Sequence, residues 1–233
     1  MPDKKKENLS DHRIQTSFLS GPEKKALLWL APRMPQWVTP DLLTFFGLFG
    51  MGVCGISYYL ATKHWIFLVL ASIGHIINWF GDSLDGTLAR YRNQQRPKYG
   101  YYIDHLVDAF GIALMTFGLA YSGLVRQPFI WVFLSLFFIA SINTYLATNS
   151  TNIFKISYLK FSTTEARVAL IIMNTILIFI QNITILGFTF RWLNVASILI
   201  SIFLLVAIIR SAYKNLKKLD KEERALWKDA EAK

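Results

Sequence analysis

Six long apolar segments constrain the fold of this chain more than any other feature. They lie near residues 41–61, 65–81, 101–124, 129–148, 166–186 and 192–213. Each is close to the roughly 20 residues that a tilted helix needs to cross a membrane. A 53% share of hydrophobic residues is too high for an ordinary soluble domain, and the single cysteine excludes a scaffold of internal disulfides. The sequence therefore predicts an all-α integral membrane protein with six transmembrane helices.

Polar sequence flanks this region on both sides. Ser20-Gly21-Pro22-Glu23 predicts a helix start with Ser20 as the N-cap. The helix that follows, to about Leu30, is too short to span, so we expect a short amphipathic helix lying in the membrane interface. No apolar stretch near the N-terminus predicts a cleaved signal peptide. We expect an N-terminal segment over 1–38, a transmembrane domain that carries the site over 39–213, and a basic helical tail over 214–233.

The basic residues predict the orientation of the spans. If the N-terminus lies in the cytoplasm, only three of the 25 Lys and Arg residues fall on the outer side, namely Lys63, Arg126 and Arg191. Basic residues favour the cytoplasmic side, so both termini are expected there. This topology accounts for the net charge of +10, and nucleic acid is not needed to explain it.

Four aspartates lie at or beside apolar segments: Asp82, Asp85, Asp104 and Asp108. An ionisable group in such a place is costly, so its default interpretation is functional. Helical spacing gives Asp82 and Asp85 one face, and gives Asp104 and Asp108 one face of the next helix. Like charges repel when packed together, and a hard divalent cation such as Mg²⁺ relieves that repulsion through carboxylate ligands.

Two further residues suit a phosphate ligand. Gly86 has no side chain, so a ligand can approach the backbone beside the acids. Arg90, one turn beyond, can offer a planar fork of donors to a phosphate.

Together these residues form the pattern Asp82-x2-Asp85-Gly86-x2-Ala89-Arg90-x9-Gly100-x3-Asp104-x3-Asp108. The pattern resembles the signature of the CDP-alcohol phosphotransferases, and all eight fixed positions are present. The signature is usually written with eight residues between the Arg and the second Gly, whereas this chain has nine. The extra residue lies in a polar loop over 93–98, where we expect it to be tolerated.

The resemblance implies a reaction and a set of roles. Asp82, Asp85 and Asp104 would hold Mg²⁺ or Mn²⁺ on the CDP diphosphate, and Asp108 would be the general base and a further metal ligand. The enzyme would move a substituted phosphate from a CDP-linked donor to an alcohol hydroxyl in phospholipid synthesis, with release of CMP. The acidic site would face the cytoplasm, and the resemblance implies a homodimer. The substrate-binding residues expected from the motif are Gly86, Ala89, Arg90 and Gly100.

Three other residues have both a functional and a structural interpretation. His105 either orients or replaces Asp108 as the base, or makes an interhelical hydrogen bond. Glu165 and Arg167 open the fifth span and either contact the acceptor or a phosphate, or stabilise the helix start.

The substrates stay open at this point. CDP-diacylglycerol with a polar alcohol as acceptor is the favoured pair. The alternative is CDP-choline or CDP-ethanolamine with diacylglycerol as acceptor, a branch that the Asp104-His105 pair resembles more closely. Two remoter alternatives are an ion-coupled transporter, in which the acids line a pathway, and a non-catalytic scaffold that keeps the motif.

Overall fold

Seven α-helices and one β-hairpin make up the part of the chain that the structure, a computed structural model, describes: residues 19–151, 163–180, 182–185 and 188–231. Residues 1–18 of the predicted N-terminal segment lie outside it. The helices are α1 Ser20–Leu30, α2 Pro40–Leu60, α3 Ile66–Tyr91, α4 Pro97–Tyr121, α5 Gln127–Thr151, α6 Thr163–Phe179 and α7 Trp192–Glu231. A short 3-10 helix, Ala31–Arg33, follows α1. The hairpin pairs β1, Asn182–Ile185, with antiparallel β2, Phe188–Arg191.

The predicted all-α membrane fold is confirmed. Among the described residues, α2, α3, α4, α5 and α7 are long and apolar enough to cross a membrane. They coincide with five of the six predicted spans. Successive helices reverse direction, so the ends of α2, α3, α4 and α6 nearest residues 40, 91, 97 and 163 lie on one side of the bundle. We call this side the motif end.

The fifth predicted span differs from the structure at its C-terminal end. The prediction ran to residue 186, but α6 ends at Phe179 after 17 residues, and the hairpin follows. The hairpin sequence is rich in β-branched and aromatic residues, which favour strands over helices. At 1.5 Å per residue α6 is about 25 Å long, so its crossing of the membrane stays a prediction.

Close backbone contacts bring α2 against α3 and α4. A Cβ at Gly81 in α3 would lie 2.5 Å from the Gly47 nitrogen in α2. A Cβ at Gly118 in α4 would lie 2.5 Å from the carbonyl carbon of Gly55. Small residues allow membrane helices to pack at short range, where dispersion contacts replace the hydrophobic effect as the driving force. Helix α2 is therefore the central element on which α3 and α4 are assembled.

A buried polar network holds α6 against α2 and α3. The Tyr58 hydroxyl donates to Asn174 Oδ1 at 2.9 Å, and Asn174 Nδ2 donates to Ser72 Oγ at 3.1 Å. His75 Nε2 lies 3.1 Å from the same hydroxyl. Because the single Tyr58 proton goes to Asn174, the hydrogen bond requires His75 Nε2 to carry a proton and donate. Such interhelical hydrogen bonds link helices that the hydrophobic effect does not drive together, because lipid tails are as apolar as the helix surfaces.

Helix α1 packs across the motif end. Its Leu27 joins a cluster with Leu43 of α2 and with Leu84 and Leu88 of α3, while Trp29 on another face is exposed. Its position in the membrane interface stays a prediction. The prediction of Ser20 as the N-cap is wrong, because Leu19 is the N-cap and Ser20 is the first helical residue.

Glu23, three residues after Ser20, joins three helices. Its Oε1 accepts hydrogen bonds from Trp79 Nε1 at 3.0 Å, Ser83 Oγ at 3.0 Å and Thr164 Oγ1 at 2.6 Å. Trp79 and Ser83 belong to α3, and Thr164 belongs to α6. The carboxylate therefore fixes α1 to both helices at the motif end, since three donors satisfy one acceptor group.

The polar loop that carries the extra residue follows the end of α3, and Arg92 beside it is hydrogen-bonded to the segment that precedes α2. Asn93 has a φ of 56°, and the Asn93 and Gln94 nitrogens donate to the carbonyls of Arg90 and Ala89, which closes a Schellman motif. The guanidinium of Arg92 donates to backbone carbonyls of residues 34–38, including that of Pro35 at 2.8 Å. The loop therefore has a defined structure, and Gly100 falls within α4.

Replacing Gly118 with Ala tests the contact between α2 and α4. The added Cβ forces the two backbones apart, so we expect the free energy of unfolding to fall by roughly 1–3 kcal/mol. Thermal unfolding of the purified protein in detergent measures this as a lower midpoint. The matched control is Gly52→Ala on α2, where an added Cβ meets no heavy atom within 4 Å. Equal midpoints for the two variants would contradict the close contact.

Candidate active site

Three of the four motif aspartates face one cavity at the motif end. The cavity has a volume of about 140 Å³, and its polar lining includes Asp82, Asp104, Asp108 and Arg167. The cavity also has an apolar part to its lining, formed by Leu48, Met51, Val107, Ile112, Met115, Phe137 and Leu170. Ligand sites usually measure 300–1,000 Å³. The cavity therefore has room for reacting groups, while the remainder of a large ligand would extend beyond it.

Arg167 lies among the acids and is fixed by two neighbours on α3. Its Nη2 donates to Asp82 Oδ2 at 2.5 Å, and its Nε donates to Asn78 Oδ1 at 2.7 Å. Asn78 in turn donates from Nδ2 to the Gly47 carbonyl of α2 at 3.0 Å. Arg167 Nη1 is buried and has no hydrogen-bond partner among the described residues. A buried donor without a partner is costly, so Nη1 is available to a ligand oxygen.

Asp85 lies beside the cavity and is buried. Its Oδ2 accepts a hydrogen bond from Thr44 Oγ1 of α2 at 2.6 Å, and its Oδ1 accepts from the Gly86 nitrogen at 2.5 Å. It interacts electrostatically with Asp104 and Asp82. Asp108 likewise interacts with the other three aspartates and with Arg167. The four predicted acids thus form one electrostatic group, although their carboxylates do not all open into the cavity.

The predicted substrate residues of the motif lie at the end of α3 and the start of α4. Arg90 folds over Gly86, since a Cβ at Gly86 would lie 3.5 Å from Arg90 Nη1, and Arg90 Nη2 donates to Thr87 Oγ1 at 3.1 Å. Ala89 is half-buried, and an added Cβ at Gly100 would meet no heavy atom within 4 Å. None of the four residues predicted here is part of the described cavity lining, so their substrate role stays a prediction.

His105 and Glu165 point to other neighbours. The ring of His105 stacks on Tyr145 of α5 at 4.8 Å and meets Tyr101 edge-on at 4.3 Å. Glu165 Oε1 accepts a hydrogen bond from the Leu19 nitrogen at the start of α1 at 3.1 Å. Neither belongs to the described cavity lining, so the functional role of each stays a prediction. Of the three residues left open by the sequence, only Arg167 is in the cavity.

The donor set suits a hard divalent metal. Among residues 19–151, 163–180, 182–185 and 188–231, no three His, Cys, Asp or Glu side chains are close enough to enclose an ion. The four grouped aspartates nevertheless supply only carboxylate oxygens, the ligands that Mg²⁺ and Mn²⁺ prefer. The combined negative charge of the four carboxylates is larger in magnitude than the single positive charge of the Arg167 guanidinium beside them. The residues therefore fit such an ion by chemistry, provided that their side chains rotate toward it.

Sequence reasoning missed two residues that position the site, Thr44 and Asn78. Neither is among the site residues that the sequence predicts. The available signal was helical spacing, because Asn78, Asp82 and Asp85 fall within two turns and share a face of α3. An amide on the acidic face of a membrane helix is itself costly, which makes it a candidate partner.

A family model described as CDP-alcohol phosphatidyltransferase matches residues 37–212. The chain belongs to this family. The match covers α2 to α5 and α6, together with the membrane part of α7, and it contains every residue of the acidic group. The family prediction from the motif is therefore confirmed.

Three relatives illustrate the range of proteins that this CDP-alcohol phosphatidyltransferase family member resembles. An uncharacterized protein of Aquifex aeolicus is 38% identical over 77 residues, which is 33% of this chain and 36% of the relative. An archaetidylinositol phosphate synthase of Pyrococcus horikoshii is 34% identical over 89 residues, 38% of this chain and 44% of the relative. Cholinephosphotransferase 1 of Rattus norvegicus is 27% identical over 182 residues, 70% of this chain and 43% of the relative. The chain thus matches less than half the length of each.

The contact between Thr44 and Asp85 can be tested by two substitutions of similar size. Thr44→Val removes the donor and leaves a buried carboxylate oxygen short of one hydrogen bond, at a cost of about 1–3 kcal/mol. Thr44→Ser keeps the hydroxyl and should unfold close to the wild-type midpoint. Thermal unfolding in detergent compares the two variants. A Val variant that unfolds at the wild-type midpoint would show that the hydrogen bond from Thr44 to Asp85 contributes nothing to stability.

Proposed function

We propose that this chain is an integral membrane CDP-alcohol phosphotransferase that works at its motif end. It would transfer a substituted phosphate from a CDP-linked donor to an alcohol hydroxyl, and CMP and a phosphodiester lipid would be the products. The observation that supports this most is the cavity that Asp82, Asp104, Asp108 and Arg167 share in a member of this family. The acids gather at one end of the bundle, which favours a reaction site over an ion pathway across it.

The residues divide into metal-binding and proton-accepting groups. Asp82, Asp85 and Asp104, with Asp108, would hold Mg²⁺ or Mn²⁺, which when bound neutralises charge on the donor diphosphate. Asp108 accepts the proton of the acceptor hydroxyl, whose oxygen then attacks the phosphorus in line. The bond between phosphorus and the CMP oxygen breaks, and CMP leaves with the bonding pair.

Arg167 would orient the transferred phosphate. It is held by Asp82 and Asn78, and its buried Nη1 has no hydrogen-bond partner in the part of the chain that the structure describes, so it offers a preorganised donor to a phosphoryl oxygen. A donor that is already in place costs no reorganisation when charge develops on that oxygen. Arg90, which lies over Gly86, would contact the diphosphate from the other side of Asp85.

The favoured donor is CDP-diacylglycerol, with a polar alcohol as acceptor. The apolar part of the cavity lining suits acyl chains that enter sideways from the bilayer. The motif end would face the cytoplasm, where a nucleotide is available. The basic residues support this orientation, because most of those that the structure describes lie at or beyond the motif end of the helices. The relative that makes archaetidylinositol phosphate supports a reaction with a polar acceptor.

The alternative donor is CDP-choline or CDP-ethanolamine, with diacylglycerol as acceptor. It is favoured by the longer match to a relative named as a cholinephosphotransferase. The Asp104-His105 pair also supports it, although His105 packs against α5. A homodimer is proposed from the family resemblance alone.

The role of Asp108 can be tested with Asp108→Asn. The amide cannot accept the acceptor proton, so we expect CMP release to fall by roughly 100- to 10,000-fold while the protein stays folded. Release is measured on purified protein in mixed micelles with Mg²⁺. Asp220→Asn, in the exposed tail where Asp220 pairs with Arg224, is the matched control and should keep full activity. An unchanged rate for Asp108→Asn would exclude it as the base.

Metal dependence and the donor can be resolved in the same assay. Chelation with EDTA should stop CMP release, and Mg²⁺ or Mn²⁺ should restore it, because the carboxylate group needs a cation to bind diphosphate. Supplied with a panel of alcohols, CDP-diacylglycerol should release CMP, whereas CDP-choline with diacylglycerol should not. The opposite donor preference would replace the favoured reaction with the alternative, and release that resists chelation would contradict the metal role.

A further inference from the structure

A second cavity, larger than the one lined by the aspartates, lies at the opposite end of the bundle. It has a volume of about 770 Å³, and Arg126 and Arg191 both line it. These are two of the three basic residues that the predicted topology leaves on the outer side. A basic residue there runs against the usual charge bias of membrane proteins, so the meeting of two in one cavity calls for an explanation.

Three segments build the cavity, and hydrogen bonds fix them together. The Arg126 nitrogen, in the loop after α4, donates to Asn194 Oδ1 in the first turn of α7 at 2.8 Å. Trp192 Nε1 donates to the Ile180 carbonyl before the hairpin at 2.8 Å. The hairpin register places Asn182 opposite Arg191. The two arginines therefore belong to segments that are joined by hydrogen bonds, and they do not lie on separate loops.

The cavity has a strong charge bias. Its described lining contains no carboxylate, and within the described chain neither Arg126 nor Arg191 forms an ion pair. Asn182 and Asn194 add amide groups that can donate hydrogen bonds. Two guanidinium groups with neighbouring amides match the oxygens of a phosphate, which arginine binds in a bidentate manner.

The remaining wall is apolar and belongs to membrane spans. Phe129 lies near the start of α5, and Val195 and Ile198 lie in the first two turns of α7. Val195 is 43% exposed and Ile198 is 38% exposed, so their side chains lie on the outer surface of an apolar helix that is long enough to cross a membrane. A polar phosphate site that continues into an apolar, lipid-facing wall has the chemistry of a phospholipid.

We infer that this cavity binds the phosphodiester head group of an anionic phospholipid in the leaflet opposite the aspartate cavity. The arginines and asparagines hold the phosphate, and the acyl chains run along Phe129 and Ile198. The volume lies within the range of known ligand sites and exceeds that of the aspartate cavity. This site is separate from the proposed reaction and does not depend on it.

The test compares Arg126→Gln/Arg191→Gln with Lys63→Gln. Lys63 lies in the turn between α2 and α3 at the same end of the bundle but outside the cavity lining, so its substitution controls for a change in surface charge. Each protein is purified in neutral detergent and titrated with phosphatidylglycerol, phosphatidylcholine or sodium phosphate, and bound molecules are counted by native mass spectrometry. Lipid bound at the aspartate cavity is common to all three proteins and cancels.

We expect the double variant to bind phosphatidylglycerol roughly thirtyfold more weakly than the wild type, and Lys63→Gln to bind it equally well. Phosphatidylcholine should bind the wild type more weakly than phosphatidylglycerol. Equal phosphatidylglycerol binding by the double variant, or an equal loss in Lys63→Gln, would overturn the proposal. Phosphate binding that the double variant loses, together with equal phosphatidylglycerol binding by the double variant and the wild type, would reassign the site to a free anion. If the double variant does not fold, the two single substitutions of these exposed side chains give the same comparison.

Discussion

The close approach of α2 to α3 is the constraint on which the aspartate cavity depends. Gly47 and Gly81 let the two backbones meet, and Asp82 directly follows Gly81. At this separation the short side chain of Thr44 reaches Asp85 on the neighbouring helix, and Asn78 reaches the Gly47 carbonyl. A wider spacing would break both hydrogen bonds and leave a buried carboxylate and an amide in an apolar region, where unsatisfied polar groups are costly.

Charge balance is the second requirement of the motif end. Four aspartates interact with one another, and Arg167 is the one cation in the described cavity lining. A buried ion pair gains little net stability because both partners lose water, so the Arg167–Asp82 contact is better understood as fixing geometry. The excess negative charge destabilises the empty arrangement and favours whatever cation neutralises it. Electrostatic repulsion of this kind is expected at a site that binds a ligand, where function takes precedence over stability.

Much of the architecture could be predicted because it follows from local sequence. Span length, the direction of the helices and the faces shared by the aspartates depend only on hydropathy and on the period of the helix. The end of α6 could not be predicted this way, because the apolar run through residue 186 has the composition of a span while its β-branched residues form a hairpin. The Schellman turn at Asn93, by contrast, gives a local reason why an extra loop residue is tolerated.

The parts that sequence reasoning missed are contacts between distant residues. Arg167 and Asp82 are 85 positions apart, and nothing in either segment specifies the other. Glu23 matched a capping pattern, yet its carboxylate serves residues 56, 60 and 141 positions away. The cavity with Arg126 and Arg191 was visible only as a small exception to the charge rule. Each of these required the packing of whole helices to be known.

The continuity of α7 has a mechanical consequence. Its 40 residues form a single helix about 60 Å long, roughly twice the thickness of the hydrocarbon core. The part of α7 beyond the bilayer therefore continues the same helix, and the direction in which its side chains point is set by the part inside the bilayer. Inserting or deleting one residue near Tyr213 would turn everything that follows by about 100°. The row formed by Leu216, Leu219 and Leu226 would then face a different direction, although no contact within the membrane had changed.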